Sequence, residues 1–328
     1  MLILNGGSLV TEELYFSPSE VTVSNLSGLT ERASVLSEMR MCEIYELAKE
    51  ASDFALELLR SDTMSFVEVL LVLSELSELD GGGVHSDSLP QNKSALEGFL
   101  SNLRRQDKII FTSLFLSELT RGGITVSEAS FLTTERSDER FVYVKNSFAD
   151  EAYDVFSEEF VDPRVRYAEN FRDAISLLSD GTVSYSLLPM EERGVRIPSI
   201  AQLIFSHDLK IVSVTPVFGF DGTADMKYAL VSKACSVPTL IEGDDRYLEI
   251  RLQNNGEASL SELLLALESL SVELYRVNSI FFDGDGGRSE YYSLIFKKDE
   301  GDFSLLLTYL TLFMPSHTVV GLYKNLEM

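Results

Sequence analysis

The stretch SYSLLPMEERG, residues 184–194, carries an apolar strand pattern into a proline, two acids, an arginine and a glycine. In α/β folds ligands sit just past the carboxyl end of a strand, where Glu191, Glu192 and Arg193 fall. Other groupings with chemical potential are weaker. DGDGGRSE, residues 283–290, has the acids of a calcium loop. It lacks that loop's spacing and closing glutamate, so a hairpin turn is expected. His85, His207 and His317 are far apart, with no carboxylate or cysteine at metal-ligand spacing. Neither a metal site, a catalytic triad nor a cofactor is expected from them. Cys42 and Cys235 lie in regions that read as different domains and are expected to be free thiols.

These groups belong to a chain of 328 residues, long enough for two or three domains. Hydrophobic residues make up 45% of it, ample for sizeable cores. The 52 acids and 27 bases give a formal charge of −25. Such a surface repels nucleic-acid phosphates, so nucleic-acid binding is excluded as an expected activity. The opening MLILNGGSLVTEEL has no basic n-region, and no apolar run reaches the length of a membrane span. A cytoplasmic protein without a signal peptide or membrane segment is expected.

Periodicity divides the chain into an α/β multi-domain protein of three blocks. Residues 1–125 read as an all-α block after a short β-like start, EVTVSNL. Ile44, Leu47, Ala51, Phe54 and Leu58 recur at steps of 3 and 4, one stripe of a helix spanning 31–60. Residues 64–79 form a second helix, and two shorter ones are expected before Arg121-Gly122-Gly123. Residues 138–235 alternate short β-branched runs with helical stretches, which predicts βαβ units on a mainly parallel sheet. Residues 245–328 read β-α-β-β-α-β, the ferredoxin-like split βαβ order.

The second and third blocks together resemble prephenate dehydratases. YSLLPMEERGVRIPSIAQLIFSHDLKIVSV is similar to that family's strand, Pro-Ile-Glu-Asn-Ser motif, helix and DLKIV-type strand. The third block resembles the regulatory ACT domain that follows the dehydratase domain. NGEASLSELLLALESLSVELYRVNS spans the segment from Gly-Ala-Leu to Glu-Ser-Arg-Pro without a gap. An N-terminal helical block in front is similar in position to the chorismate mutase of bifunctional enzymes.

The resemblance implies a cleft between two α/β lobes in which prephenate loses water and carbon dioxide. This chain departs from the pattern. Glu191 is the only acid matching the catalytic motif, and Glu192 and Arg193 replace its amide and hydroxyl. A carboxylate facing an anionic substrate reverses the sign of that interaction. Lys145-Asn146-Ser147 stands where the family has a glycine loop. Met226-Lys227-Tyr228 stands for Thr-Arg-Phe, and methionine donates no proton. Only FGFDGTAD, residues 218–225, separates the strands between which the family inserts its second lobe. A single lobe and a catalytically degenerate protein are expected, with Glu191, Glu192 and Arg193 in a solvated loop.

The family's effector positions fall on Ala258, Ser259 and Leu260, and on Asn278 and Ser279; an aromatic amino acid is the ligand they imply. Arg32, Lys49 and Arg60, spaced by 17 and 11, match three basic ligands of helical chorismate mutases. Such an enzyme holds a dicarboxylate by charge without a covalent step. The alternative function is therefore an active chorismate mutase or dehydratase of the phenylalanine route. The favoured expectation puts Lys49 and Arg60 on a solvated face, paired with Glu46 and Glu57. SLLLTYLTLF, YYSLIF and the sheet edges of the third block predict a homo-oligomer through the ACT-like domain.

Overall fold

The structure, a computed structural model, describes residues 20–61, 64–78, 100, 103–132, 139–219, 222, 224–234, 246–253, 260–270, 272–284, 287–298, 303–314 and 316–326. It divides into two units, Met1–Glu46 and Leu47–Met328. Helix α1 (Glu20–Arg60) contributes to both. EVTVSNL, expected as a β-like start, is the first part of this helix, because β-branched residues form a strand only where a partner strand accepts them. In the smaller unit Val35, Leu36 and Met39 are exposed, and Arg40 pairs with Glu43 at 3.2 Å.

In the larger unit, α2 (Phe66–Glu78) and α3 (Arg105–Arg121) precede the sheet-forming segments. Ser65 and Glu68 cap α2 reciprocally, Glu68 accepting from the Ser65 backbone at 2.6 Å. The lobe follows as β1 (Arg140–Val144), α4 (Ser147–Ser157), β2 (Arg164–Ala168), α5 (Phe171–Ser179) and β3 (Tyr185–Glu192). It continues with β4 (Val195–Arg196), α6 (Pro198–Ser206), β5 (Lys210–Phe218) and β6 (Ala224–Ser232). Asn146 and Asn170 start α4 and α5 by accepting from Ala149 N and Asp173 N at 2.9 and 3.0 Å. Phe141 and Tyr143 face α4, while Val142 between them faces the α5–α6 layer, so both sheet faces are covered.

The expected mainly parallel sheet is mixed. β1 lies parallel to β2 and β3, but β6 runs antiparallel between β3 and β5. The five residues between β5 and β6 suit a return alongside the same strand, whereas a parallel neighbour needs a longer crossover.

The C-terminal segment is β7 (Arg246–Gln253), α7 (Leu260–Leu270), β8 (Glu273–Gly284), β9 (Gly287–Lys298), α8 (Ser304–Phe313) and β10 (His317–Asn325). Its strands lie in the order β10-β7-β9-β8, all antiparallel, the order of a split βαβ unit. β10 also pairs in parallel with β5, so this sheet and the lobe's sheet are one ten-stranded sheet. Gly321 permits the seam, since a Cβ there would lie 2.3 Å from the Ile211 carbonyl oxygen.

Leu248, Ile250 and Leu252 of β7 face α7 and α8, and α2 and α3 cover α8 from outside. Ser74 donates to the Leu312 carbonyl at 3.1 Å, Phe111 meets Phe313 edge-on at 6.2 Å, and Lys108 pairs with Glu262 at 2.9 Å. The apolar run of α8 is therefore buried within one chain, and Leu294 to Phe296 of β9 are buried in mid-sheet.

His317 opens β10, with Nδ1–H donated to the Met314 carbonyl at 2.9 Å. Burial lowers its pKa, against a smaller upward pull from that bond. The unfolded chain then binds the proton more readily. Its contribution is complete above about pH 6.5 and is lost as pH falls below that value. His317→Gln is expected to lose less stability than the parent between pH 7 and pH 5, measured by urea midpoints. Identical pH profiles would refute this.

Candidate functional site

Pro189 has no N–H for the ladder, and the β3–β6 register shifts between Pro189 and Glu191. Beyond this bulge the chain turns tightly. Arg193 and Gly194 have φ of 47° and 76°, the left-handed pair of a two-residue hairpin turn, so β4 returns along β3. Glu191, Glu192 and Arg193 are thus not one solvated loop. Glu192 and Arg193 are exposed, and Arg193 lies 3.6 Å from Asp225. Glu191 is buried, because the β7–β9–β8 part of the sheet lies against the hairpin where the expected lobe had no second wall.

The hairpin sets Glu191 opposite Arg196, and the β3–β6 register sets Glu191 beside Lys227. Arg276 of β8 donates from Nη1 to Glu191 Oε1 and from Nη2 to the Gly194 carbonyl, both at 2.7 Å. Arg196 Nη2 lies 2.7 Å from Glu249 Oε1 of β7. Ser293 donates to the same oxygen at 2.7 Å, and Tyr323 donates to Oε2 at 3.3 Å. Glu249 is only 1% exposed.

Burial alone would lower the Arg196 pKa, but the charge and hydrogen bond of Glu249 raise it on balance. Burial, reinforced by Glu249, lifts the Tyr323 hydroxyl well above its ordinary value. Lys227 is lowered by burial, with Arg276 and Arg196 pushing the same way and Glu191 opposing. The group is a fixed ionic lock between the hairpin and β7–β10. Beside it, Arg196, Glu249 and Arg251 line a cavity of about 10 Å³ with Ile204, Phe205 and Val320. That is room for one species of about water's size.

The other expected residues do not join this group. Arg32, Lys49 and Arg60 are exposed. Arg60 donates to the Gly122 carbonyl at 3.0 Å, where pairing with Glu57 was expected; a carbonyl at the end of α3 is a ready acceptor. Leu260 packs beside the α7–α8 core, whereas Asn278 follows Arg276 on the face toward α6 and Ser279 points oppositely. Ala258, Ser259 and Cys235 lie outside the described residues, as does most of DGDGGRSE's turn. Cys42 is a free, exposed thiol. Among the described residues no group of histidines, cysteines and acids could hold a metal, and no helix is long and apolar enough to cross a membrane.

Arg196, Glu249, Arg251 and Arg276 were not singled out from sequence. The signal for two of them was present in Leu248-Glu249-Ile250-Arg251-Leu252, where charges alternate with core residues.

No family model and no curated protein matches the chain. Among solved structures, the chain is similar to prephenate dehydratase from Streptococcus mutans at 13% identity and TM-score 0.45, over 58% of this chain and 99% of that one. It is similar to GqqA, described as a novel type of quorum-quenching acylase, at 17% identity and TM-score 0.41, over 57% and 95%. A prephenate dehydratase from Arthrobacter aurescens in complex with L-Phe is similar at 12% identity and TM-score 0.42, over 56% and 90%.

Proposed function

We propose that this chain is a prephenate-dehydratase-like, ACT-like protein related to phenylalanine biosynthesis, catalytically degenerate, acting as a regulatory or structural homo-oligomer. Its parts are a helical block (1–125), a single α/β lobe (138–235) and an ACT-like domain (245–328). The observation that carries the reading is the position of Glu191, the one acid matching the family's motif. An acid that works on a substrate must meet it. Glu191 is 6% exposed and already accepts a charge-assisted bond from Arg276. The exposure of Lys49 and Arg60 likewise argues against an anion pocket along that helix.

Two features behind the expected self-association, the α8 run and the β10 edge, are satisfied within one chain. Among the described residues no strand pairs with the outer edge of β8, which exposes Tyr275, Val277 and Phe281, so a second copy is proposed to pair there.

The test is ultraviolet assay of purified protein with prephenate and with chorismate, alongside light scattering. Neither compound should be consumed above its uncatalysed rate, and the mass should be about twice that of one chain. Phenylpyruvate formation abolished by Glu191→Gln would overturn the non-catalytic reading. A monomer at micromolar concentration would overturn the oligomer.

A further inference from the structure

The lock has more cations than acids, in a chain where acids outnumber bases 52 to 27. Among the described residues, the acids that act on Arg196 and Lys227 are Glu191 and Glu249, Arg276 pairs with Glu191, and Glu249 also acts on Arg251. Asp208, the other acid acting on Arg251, is exposed and pairs with Lys210 at 2.8 Å. Arg276 and Glu191 satisfy each other, and Glu249 is shared among Arg196, Ser293 and Tyr323. What remains is concentrated at the cavity. The Arg196 side chain is 9% exposed, and its Nε and Nη1 are buried without a partner. Arg251 lines the same cavity, its guanidinium 3.7 Å from the centre of the Phe205 ring and 6.0 Å from that of Tyr291. Aromatic faces stabilise a cation but supply no hydrogen-bond acceptor.

Buried N–H donors without an acceptor are costly, and a buried cation without a counter-charge more so. A water could accept from Arg196, whose charge Glu249 meets, but would add no counter-charge for the partly buried Arg251, which has no direct ion pair among the described residues. From the two orphaned donors, the surplus charge and the cavity's size, we infer that the cavity is a binding site for one small monovalent anion. Its ligand is a halide, or a carboxylate small enough to enter. It bridges Arg196, on the hairpin of the lobe, to Arg251, on β7 of the C-terminal segment. The anion therefore links these two parts of the larger unit, and this holds whether or not the chain is catalytic.

The test starts from protein exchanged into sodium gluconate, whose anion is too large for the cavity. Chloride, bromide or formate then replaces gluconate at constant ionic strength, so that general screening does not change. Melting temperature is expected to rise by about 3 °C for every tenfold excess of ligand over its dissociation constant. A rise with the halides alone identifies a halide site, and a rise with formate alone a carboxylate site. Arg251→Gln should weaken the response at least about tenfold, and Arg251→Lys should retain more of it. Arg196→Gln should abolish it. Because that variant also disturbs the pair with Glu249, the unaltered protein supplies the second measurement. Crystals soaked in bromide should show anomalous density beside Arg196 Nε and Nη1. Equal melting temperatures in chloride, formate and gluconate, with no bromide at Arg196, would overturn the inference and leave a single water in the cavity.

Discussion

Glu249→Ala is expected to destabilise the protein by about 3–5 kcal/mol, the range for removing one partner of a buried ion pair. The substitution strands Arg196, whose charged form Glu249 favours, with no other ion-pair partner among the described residues. It also leaves the Ser293 and Tyr323 hydroxyls without their acceptor. Urea unfolding followed by circular dichroism measures the loss. A double variant, Arg196→Met with Glu249→Leu, should recover most of it, since a well-packed apolar pair avoids the desolvation of both charges. If Glu249→Ala cost under about 1 kcal/mol, the range of an exposed pair, the carboxylate would be solvated and the lock absent.

Gly321→Ala should cost about 3 kcal/mol, an unusually large effect for one added methyl group. The reason is what the methyl meets. Its nearest contact is the backbone oxygen of Ile211 at 2.3 Å, and the next is the Ile211 Cβ at 2.9 Å. A backbone in mid-sheet cannot swing aside as a flexible side-chain end would, so β5 and β10 must part. The register shifts beside Gly321 in both pairings show the strand already bent at this point. Amide exchange should accelerate along β5 and β10 while β1–β2 keeps its protection. Unchanged exchange at β5, with a cost under about 1 kcal/mol, would mean the seam is not closed as described.

Much of the local structure was legible in the residues themselves. The 3-and-4 stripe of Ile44 to Leu58, the asparagine caps of α4 and α5, and the order of elements from β7 to β10 each rest on interactions a few residues apart. EVTVSNL was misread because strand propensity describes a residue's fit to a neighbouring strand. The turn at Arg193-Gly194 was open to reading, since Gly194 tolerates the left-handed conformation that a two-residue hairpin needs.

Pairing between distant edges was not legible. Nothing local in LKIVSVTPV or HTVVGLYKN says that these strands adjoin, because any strand edge offers the same row of N–H and C=O groups. The glycine at 321, the packing of α6 against Val320 and Tyr323, and the bonds from Lys210, Ser213 and Thr215 to the carbonyls of Val319, Lys324 and Leu326 select that partner. The site followed from the same choice. The sequence alone determined that Glu191 lies near the carboxyl end of a strand and that Glu249 and Arg251 alternate with core leucines and isoleucine. On a sheet with one free face both of those charges would have been solvated. The tertiary structure closed α6 and the β3–β4 hairpin over that face, turning surface charges into a buried lock, because desolvation depends on what covers a residue and not on the residue itself.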